Sequence, residues 1–204
     1  MKRLLATLSL TLLSTSAIAN YGVGVLSKPF EGDKKKLITA EMNGVFNNGK
    51  GMAMQARYKQ QLAKNINLDA GVGAGGGERA SRFFIGTDIE LYPDTGKQPR
   101  ISVRPSLTRA NEFSQNRTIL GVAPTISKGY SFWGKEAYPF VALPVGLNLT
   151  GDTKSYETQY SLSTGVAMNL PLKNYNHLVA NVEMNINLKD SFHAAFMGIS
   201  YPFE

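Results

Sequence analysis

Phe192-His193-Ala194-Ala195-Phe196-Met197-Gly198-Ile199-Ser200-Tyr201-Pro202-Phe203 is the stretch whose reading decides the fold. Ala195, Met197, Ile199, Tyr201 and Phe203 alternate with Phe196, Gly198, Ser200 and Pro202. That is the period of two that sends successive side chains to opposite faces of a strand. Tyr201-Pro202-Phe203 sets two rings on one face at the rim of a sheet, where a last strand can close a barrel.

Upstream, the same alternation recurs. Leu178, Ala180, Val182, Met184, Ile186 and Leu188 alternate with Asn181, Glu183, Asn185 and Asn187, and a Lys189-Asp190 turn joins this run to the last strand. Similar runs begin at Ile38, Met52, Ile66, Phe83, Ile101, Val141 and Tyr160, while Thr118 to Lys128 is ambiguous in phase. No segment of helical length carries apolar residues at a sustained period of 3.6. The breaks between runs, such as Asn47 to Lys50, Ala63 to Asn65, Pro93 to Pro99 and Gly129 to Glu136, have hairpin lengths. Parallel pairs would need long crossovers, so an antiparallel meander is the economical topology.

The polar face separates a membrane barrel from a soluble sandwich. A sandwich turns that face to water and fills it freely with Lys and Glu, whereas here it is dominated by Asn, Ser, Thr and Gly with few charges. An apolar outside around a polar inside, over strands of about 9 to 11 residues, is the pattern of outer-membrane barrels. Turns centred near Gly49, Lys64 and Gly96 would oppose Glu41 to Arg57, Lys59 to Asp69 and Asp88 to Arg104. Three cross-strand ion pairs would then line the lumen.

The fold expected is an all-β, antiparallel up-and-down transmembrane barrel of about ten strands, with twelve or eight as alternatives. Ten long runs are present, and Tyr21 to Leu26 supplies either an eleventh short strand or a lead-in. Bacterial single-chain barrels have even strand numbers, which favours ten. Lys2-Arg3, an apolar run from Leu4 to Leu13 and Ala17-Ile18-Ala19 form a secretory signal, too short to span a bilayer as a helix. Residues 1–19 are therefore expected to be cleaved, leaving 20–204 as one barrel domain in which 20–36 is the lead-in or extra strand. The chain has 204 residues and no cysteine, so an exported product has no disulfide framework. A net charge of +7, two units of it on Lys2 and Arg3, fits anionic lipid and lipopolysaccharide better than nucleic acid.

With the last strand running inward, Tyr58, Tyr92, Tyr130, Phe132, Trp133, Tyr175, Tyr201 and Phe203 gather at the periplasmic rim. Phe46, Phe83, Phe113, Tyr156 and Tyr160 gather at the outer one, as aromatic belts do. Gly198-Ile199-Ser200-Tyr201-Pro202-Phe203 resembles the C-terminal β-signal of small outer-membrane barrels of the OmpA and OmpX type. That resemblance implies recognition by the barrel-assembly machinery, with Gly198, Tyr201 and Phe203 as the signal residues. Glu204 after the final Phe and Pro202 within the strand depart from the usual ending.

Catalytic chemistry is sparse. Ser191 and His193, two apart, are the one arrangement open to nucleophilic catalysis on lipid A acyl chains. No His, Cys or Asp spacing suits a metal, and Gly71 to Gly77 lacks the Lys and helix of a phosphate loop. No catalytic, cofactor or metal site is expected. Arg79, Arg82, Arg109, Arg117 and Lys154 fall on or near outer loops, where they could pair with lipopolysaccharide phosphates. Tyr138, Phe140, Phe192 and Phe196 point inward and would either plug the lumen or accept a hydrophobic molecule. The function expected is an integral outer-membrane barrel without enzymatic activity, structural or a narrow porin-like channel for small solutes. The alternatives are a periplasmic ligand-binding β protein and, third, an acyl-chain hydrolase.

Overall fold

The computed structural model describes residues 30, 33–46, 51–76, 79–112, 115–150 and 155–204. The expected signal, 1–19, and the Tyr21 to Leu26 run lie outside them. Twelve strands follow in order: β1 Lys36–Val45, β2 Gly51–Ala63, β3 Ile66–Gly75, β4 Arg79–Tyr92, β5 Arg100–Glu112, β6 Gln115–Ser127, β7 Tyr130–Phe132, β8 Lys135–Ala142, β9 Val145–Thr150, β10 Ser155–Asn169, β11 Val179–Lys189 and β12 Ala194–Phe203.

All are antiparallel and belong to one sheet that closes on itself. β1 pairs with β12 over its whole length, from Lys36 opposite Phe203 to Val45 opposite Ala194. The partner that meets the last strand is thus the run beginning at Lys36. β8 and β9 are one wall position: both pair with β6 and β10, and the register is the same on either side of Leu143-Pro144. Pro144 has no N–H to donate, which interrupts the ladder without shifting it. Its carbonyl still accepts from Ser161, and Leu143 still donates to Pro124, both at 3.0 Å. β7 pairs only with β8 and makes a small hairpin below the wall. Ten staves therefore form the closed barrel.

The hairpin tip, Trp133-Gly134, has φ of 50° and 69°, the two positive values of a type I′ turn. Bulky residues rarely adopt that conformation. Trp133 is mostly exposed, with its ring stacked on Phe132 at 4.5 Å.

Burial alternates along the staves as the sequence pattern requires. In β1, Leu37, Thr39, Glu41, Asn43 and Val45 are buried while Ile38, Ala40 and Met42 are exposed. In β11, Asn181, Glu183 and Asn185 are buried while Val182, Met184 and Ile186 are exposed. The fold is inside out relative to a soluble protein: polar side chains fill the interior and apolar ones face outward around the barrel. β6 settles its ambiguous phase with Arg117, Ile119, Ala123, Thr125 and Ser127 inward.

Below the wall, the turn between β4 and β5 is clamped to the end of β6. The Lys128 ammonium donates to Asp94 Oδ1 at 2.6 Å, to the Thr95 carbonyl, and to the Gln98 carbonyl at 3.2 Å. The Gly129 N–H donates to Asp94 Oδ2 at 2.6 Å. Slight burial pushes the Asp94 carboxyl up, but the hydrogen bonds from Lys128 and Gly129 outweigh it and hold the group below its ordinary 3.8. A carboxyl lowered by folding stabilises above its unfolded value and loses that contribution as pH falls through the folded one. Asp94→Asn is expected to lower the thermal midpoint slightly at pH 7, with the difference from wild type shrinking below about pH 4 and vanishing in stronger acid, as followed by circular dichroism.

Candidate functional site: a charged, filled lumen

The interior of the β1 to β5 wall carries an ionic network, built because the inward phase of each stave places a charge at mid-height. Arg57 on β2 lies within 3.7 Å of Glu41 Oε2 on β1 and within 3.1 Å of Asp69 Oδ1 on β3. Arg104 on β5 donates to the other Asp69 oxygen, and Gln55 donates to Glu41. Nearer the lower rim, Asp88 Oδ2 on β4 receives Lys59 at 3.2 Å and Arg100 at 3.0 Å, and Arg100 also donates to Glu90 Oε2 at 2.6 Å. Each cluster balances: Glu41 and Asp69 against Arg57 and Arg104, then Asp88 and Glu90 against Lys59 and Arg100. Pairing of this kind is what permits ions to remain buried.

The six residues expected in the lumen, Glu41, Arg57, Lys59, Asp69, Asp88 and Arg104, are all buried there, but the partners differ from those expected. Glu41 stands opposite Gln55, and Arg57 opposite Thr39. The connection between β1 and β2 is centred on residue 48 instead of 49, and moving a turn centre by one residue shifts the register by two. Arg57 consequently reaches Glu41 diagonally. Lys59 does stand opposite Asp69, yet its long side chain crosses to Asp88, and Asp69 takes two arginines. Asp88 and Arg104 lie across from each other, between the Gly86–Ser106 and Ile89–Val103 pairs, but their ion-pair partners are Lys59 and Arg100 for Asp88 and Asp69 for Arg104. Arg100 and Glu90, which complete the second cluster, are not among the expected pairs. Arg100 follows directly on the Pro93 to Pro99 turn and reads as a loop residue, although its phase is that of Ser102 and Arg104.

Aromatic rings share this space. Phe84 lies on the inward side of β4, over Gly71 of β3, with the Arg57 guanidinium 5.4 Å from its ring centre. Phe140 occupies the equivalent relation to Gly165 of β10. Phe192 and Phe196 pack with Val45 and Ala194 at the outer end. The result is a filled interior: Arg57, Lys59, Glu41, Asn43, Phe84, Asn148 and Phe196 each expose under 3% of their surface. A water-filled pore passing these side chains would leave them wet.

Two groups sit differently from expectation. Arg82 and Arg117 point into the barrel and are buried, because they share the inward phase of Phe84 and Ile119. Arg109 is exposed on the outside, and the side chains of Arg79 and Lys154 lie outside the described residues, as does Phe113. Ser191 and His193 precede β12 and separate, Ser191 buried and His193 exposed. His193 Nδ1 accepts from the Asn187 N–H at 3.3 Å, and Ser191 N–H donates to Asn187 Oδ1 at 3.1 Å, so both fasten the turn into β12. Among the described residues no cluster of three or more acidic, His or Cys side chains could hold a metal.

At the lower rim of the seam, the Tyr201 and Phe203 rings face outward and stack at 6.3 Å, and His177 meets Tyr201 edge-on. Lys36 donates to the Glu204 carbonyl at 2.9 Å, with its ammonium 5.8 Å from the Phe203 ring centre. Gly198 stands in the inward phase, where Asn181 Oδ1 fills the space a side chain would need.

No protein-family model matches the chain, and no curated protein does. Among solved structures it is similar to a de novo designed transmembrane β-barrel, with 12% identity over 85% of this chain and 98% of that one at a TM-score of 0.41. It is also similar to the translocator domain of the autotransporter NalP from Neisseria meningitidis, with 12% identity over 97% and 96% of the two chains and a TM-score of 0.43. LpxR from Salmonella typhimurium gives 8% identity over 76% and 74%, with a TM-score of 0.44.

Proposed function

We propose that this protein is an integral outer-membrane barrel, exported by residues 1–19, with a structural role and a lumen that does not conduct. The observation that carries this reading is the inverted distribution of polarity combined with a filled interior. An apolar wall facing outward has a favourable environment only in hydrocarbon, and a lumen packed with neutralised ion clusters leaves no path for solute. The partners proposed are outer-membrane lipid and lipopolysaccharide along the wall and, through Gly198, Tyr201 and Phe203, the barrel-assembly machinery. The separation of Ser191 from His193 supports a role without catalysis.

Cell fractionation followed by electrophoresis of unboiled and boiled samples tests the location. The protein is expected in the outer-membrane fraction, with a mobility that changes on heating. Recovery wholly in the periplasmic supernatant would end this reading. In planar bilayers the purified barrel is expected to pass no steady current, and a reproducible single-channel step would replace the structural role with a channel.

A further inference from the structure

We infer that Phe30, ahead of β1, is a stopper over the apolar lower end of the lumen. The reason lies in an exception to the barrel's own pattern. The inward phase is polar at mid-height, with Thr39, Glu41 and Asn43 on β1, Ser161 and Ser163 on β10, and Asn181, Glu183 and Asn185 on β11. At the lower end of the same three staves it becomes apolar, at Leu37, Ala167 and Val179. These three residues form a buried cluster, and Phe30 is the partly buried side chain packed against it. Inward apolar residues at a barrel mouth would meet water unless something covered them, and here the chain supplies the cover.

The ring also meets the lower ion cluster. The Lys59 ammonium on β2 lies 5.7 Å from its centre, and Lys59 stands opposite Leu37 of the same apolar cluster. The chain is tied to the wall at Lys35, whose carbonyl accepts from the Gln61 N–H at 2.8 Å. Asp33, Lys34 and Lys35 face solvent. Taking the ring away opens the cluster and Lys59 to water from below. The outer cluster of Val45, Phe192, Ala194 and Phe196 remains shut at the opposite end. The lumen is thus sealed twice, and the lower seal is a ring that no stave carries.

Calling this end periplasmic rests on the proposed outer-membrane reading, but the test does not. The chain has no cysteine, so a single introduced thiol reports unambiguously. Ala167→Cys, in the full chain purified in detergent, is reacted with a membrane-impermeant maleimide. Labelling is expected to be slow with Phe30 present, about tenfold to a hundredfold faster with Phe30→Ala, and slow again with Phe30→Leu, a range that reflects burial of one aromatic side chain. Ala194→Cys, in the outer cluster, is expected to label at the same rate in all three backgrounds. If Ala167→Cys does not fold, Val179→Cys reports on the same cluster. Equal rates at position 167 with Phe30 and with Phe30→Ala would overturn the stopper, as would rapid labelling in the intact chain. Failure of the outer-membrane reading would show instead in fractionation, with these rates unaffected.

Discussion

Asp69→Asn is expected to destabilise the barrel by about 3–5 kcal/mol, the range for removing one member of a buried ion cluster. Asp69 serves two arginines, Arg57 through one oxygen and Arg104 through the other. Asparagine has nearly the same shape, so packing is unchanged and the loss is electrostatic. Glu41 would be left to balance two guanidinium groups in a space from which water is excluded. The urea midpoint in detergent should fall with an unchanged slope, because the surface exposed on unfolding is the same. Combining Asp69→Asn with Arg104→Gln restores the balance, leaving Glu41 with Arg57, and is expected to recover half the loss or more. That recovery is the mark of a coupled network, which independent sites do not show. Asp33→Asn, at an exposed position, serves as the neutral comparison. A stability within about 1 kcal/mol of wild type for Asp69→Asn alone would mean that the cluster is hydrated and that the lumen is not filled.

The contrast between pattern and pairing explains what could be read in advance. Which side chains face inward is a property of period two, and it survives any error in turn position. Hence Glu41, Arg57, Lys59, Asp69, Asp88 and Arg104 fall inside whichever register holds. Which acid meets which base depends on register and on the reach of long side chains, and neither is local. The one-residue displacement of the first turn already moves Arg57 from Glu41 to Thr39. Arg82 and Arg117 are instructive in the other direction. Their nearness to loops points to the outer surface, although the outward phase of Phe83 places Arg82 inside, so phase outranks nearness to a loop. β6 gave no clear phase because Ile119 and Ala123 face inward while Pro124 faces outward, which inverts the polarity the alternation depends on. The hairpin of β7 and β8 looks like a simple break in the sequence because three residues and a Trp-Gly turn leave too short a pattern for periodicity to register.

The filled lumen also makes its glycines sensitive, and Gly165→Ala is expected to cost about 3 kcal/mol, the upper part of the range for overpacking a tight interior. A methyl group on Gly165 would lie 2.3 Å from the Val182 carbonyl oxygen, 2.8 Å from Glu183 Cα and 2.9 Å from the Phe140 ring. Two of those three atoms are backbone of the neighbouring stave, so relief requires β10 and β11 to part where Gly165 stands opposite Glu183. Gly71→Ala meets the Phe84 ring at 2.5 Å and the Ala56 carbonyl at 2.6 Å. Here the nearest obstacle is a side chain, so the two sites should respond differently to a second change. Phe84→Leu is expected to relieve part of the loss from Gly71→Ala, whereas Phe140→Leu should relieve almost none of the loss from Gly165→Ala. Gly44→Ala provides the control, since a methyl group there meets only the Phe46 ring at 3.8 Å and should change stability by less than about 0.5 kcal/mol. Comparable, small effects at all three positions, measured by urea unfolding, would mean that the staves can separate freely. A ring lying over a glycine of the adjacent stave would then be filling space without fixing the wall.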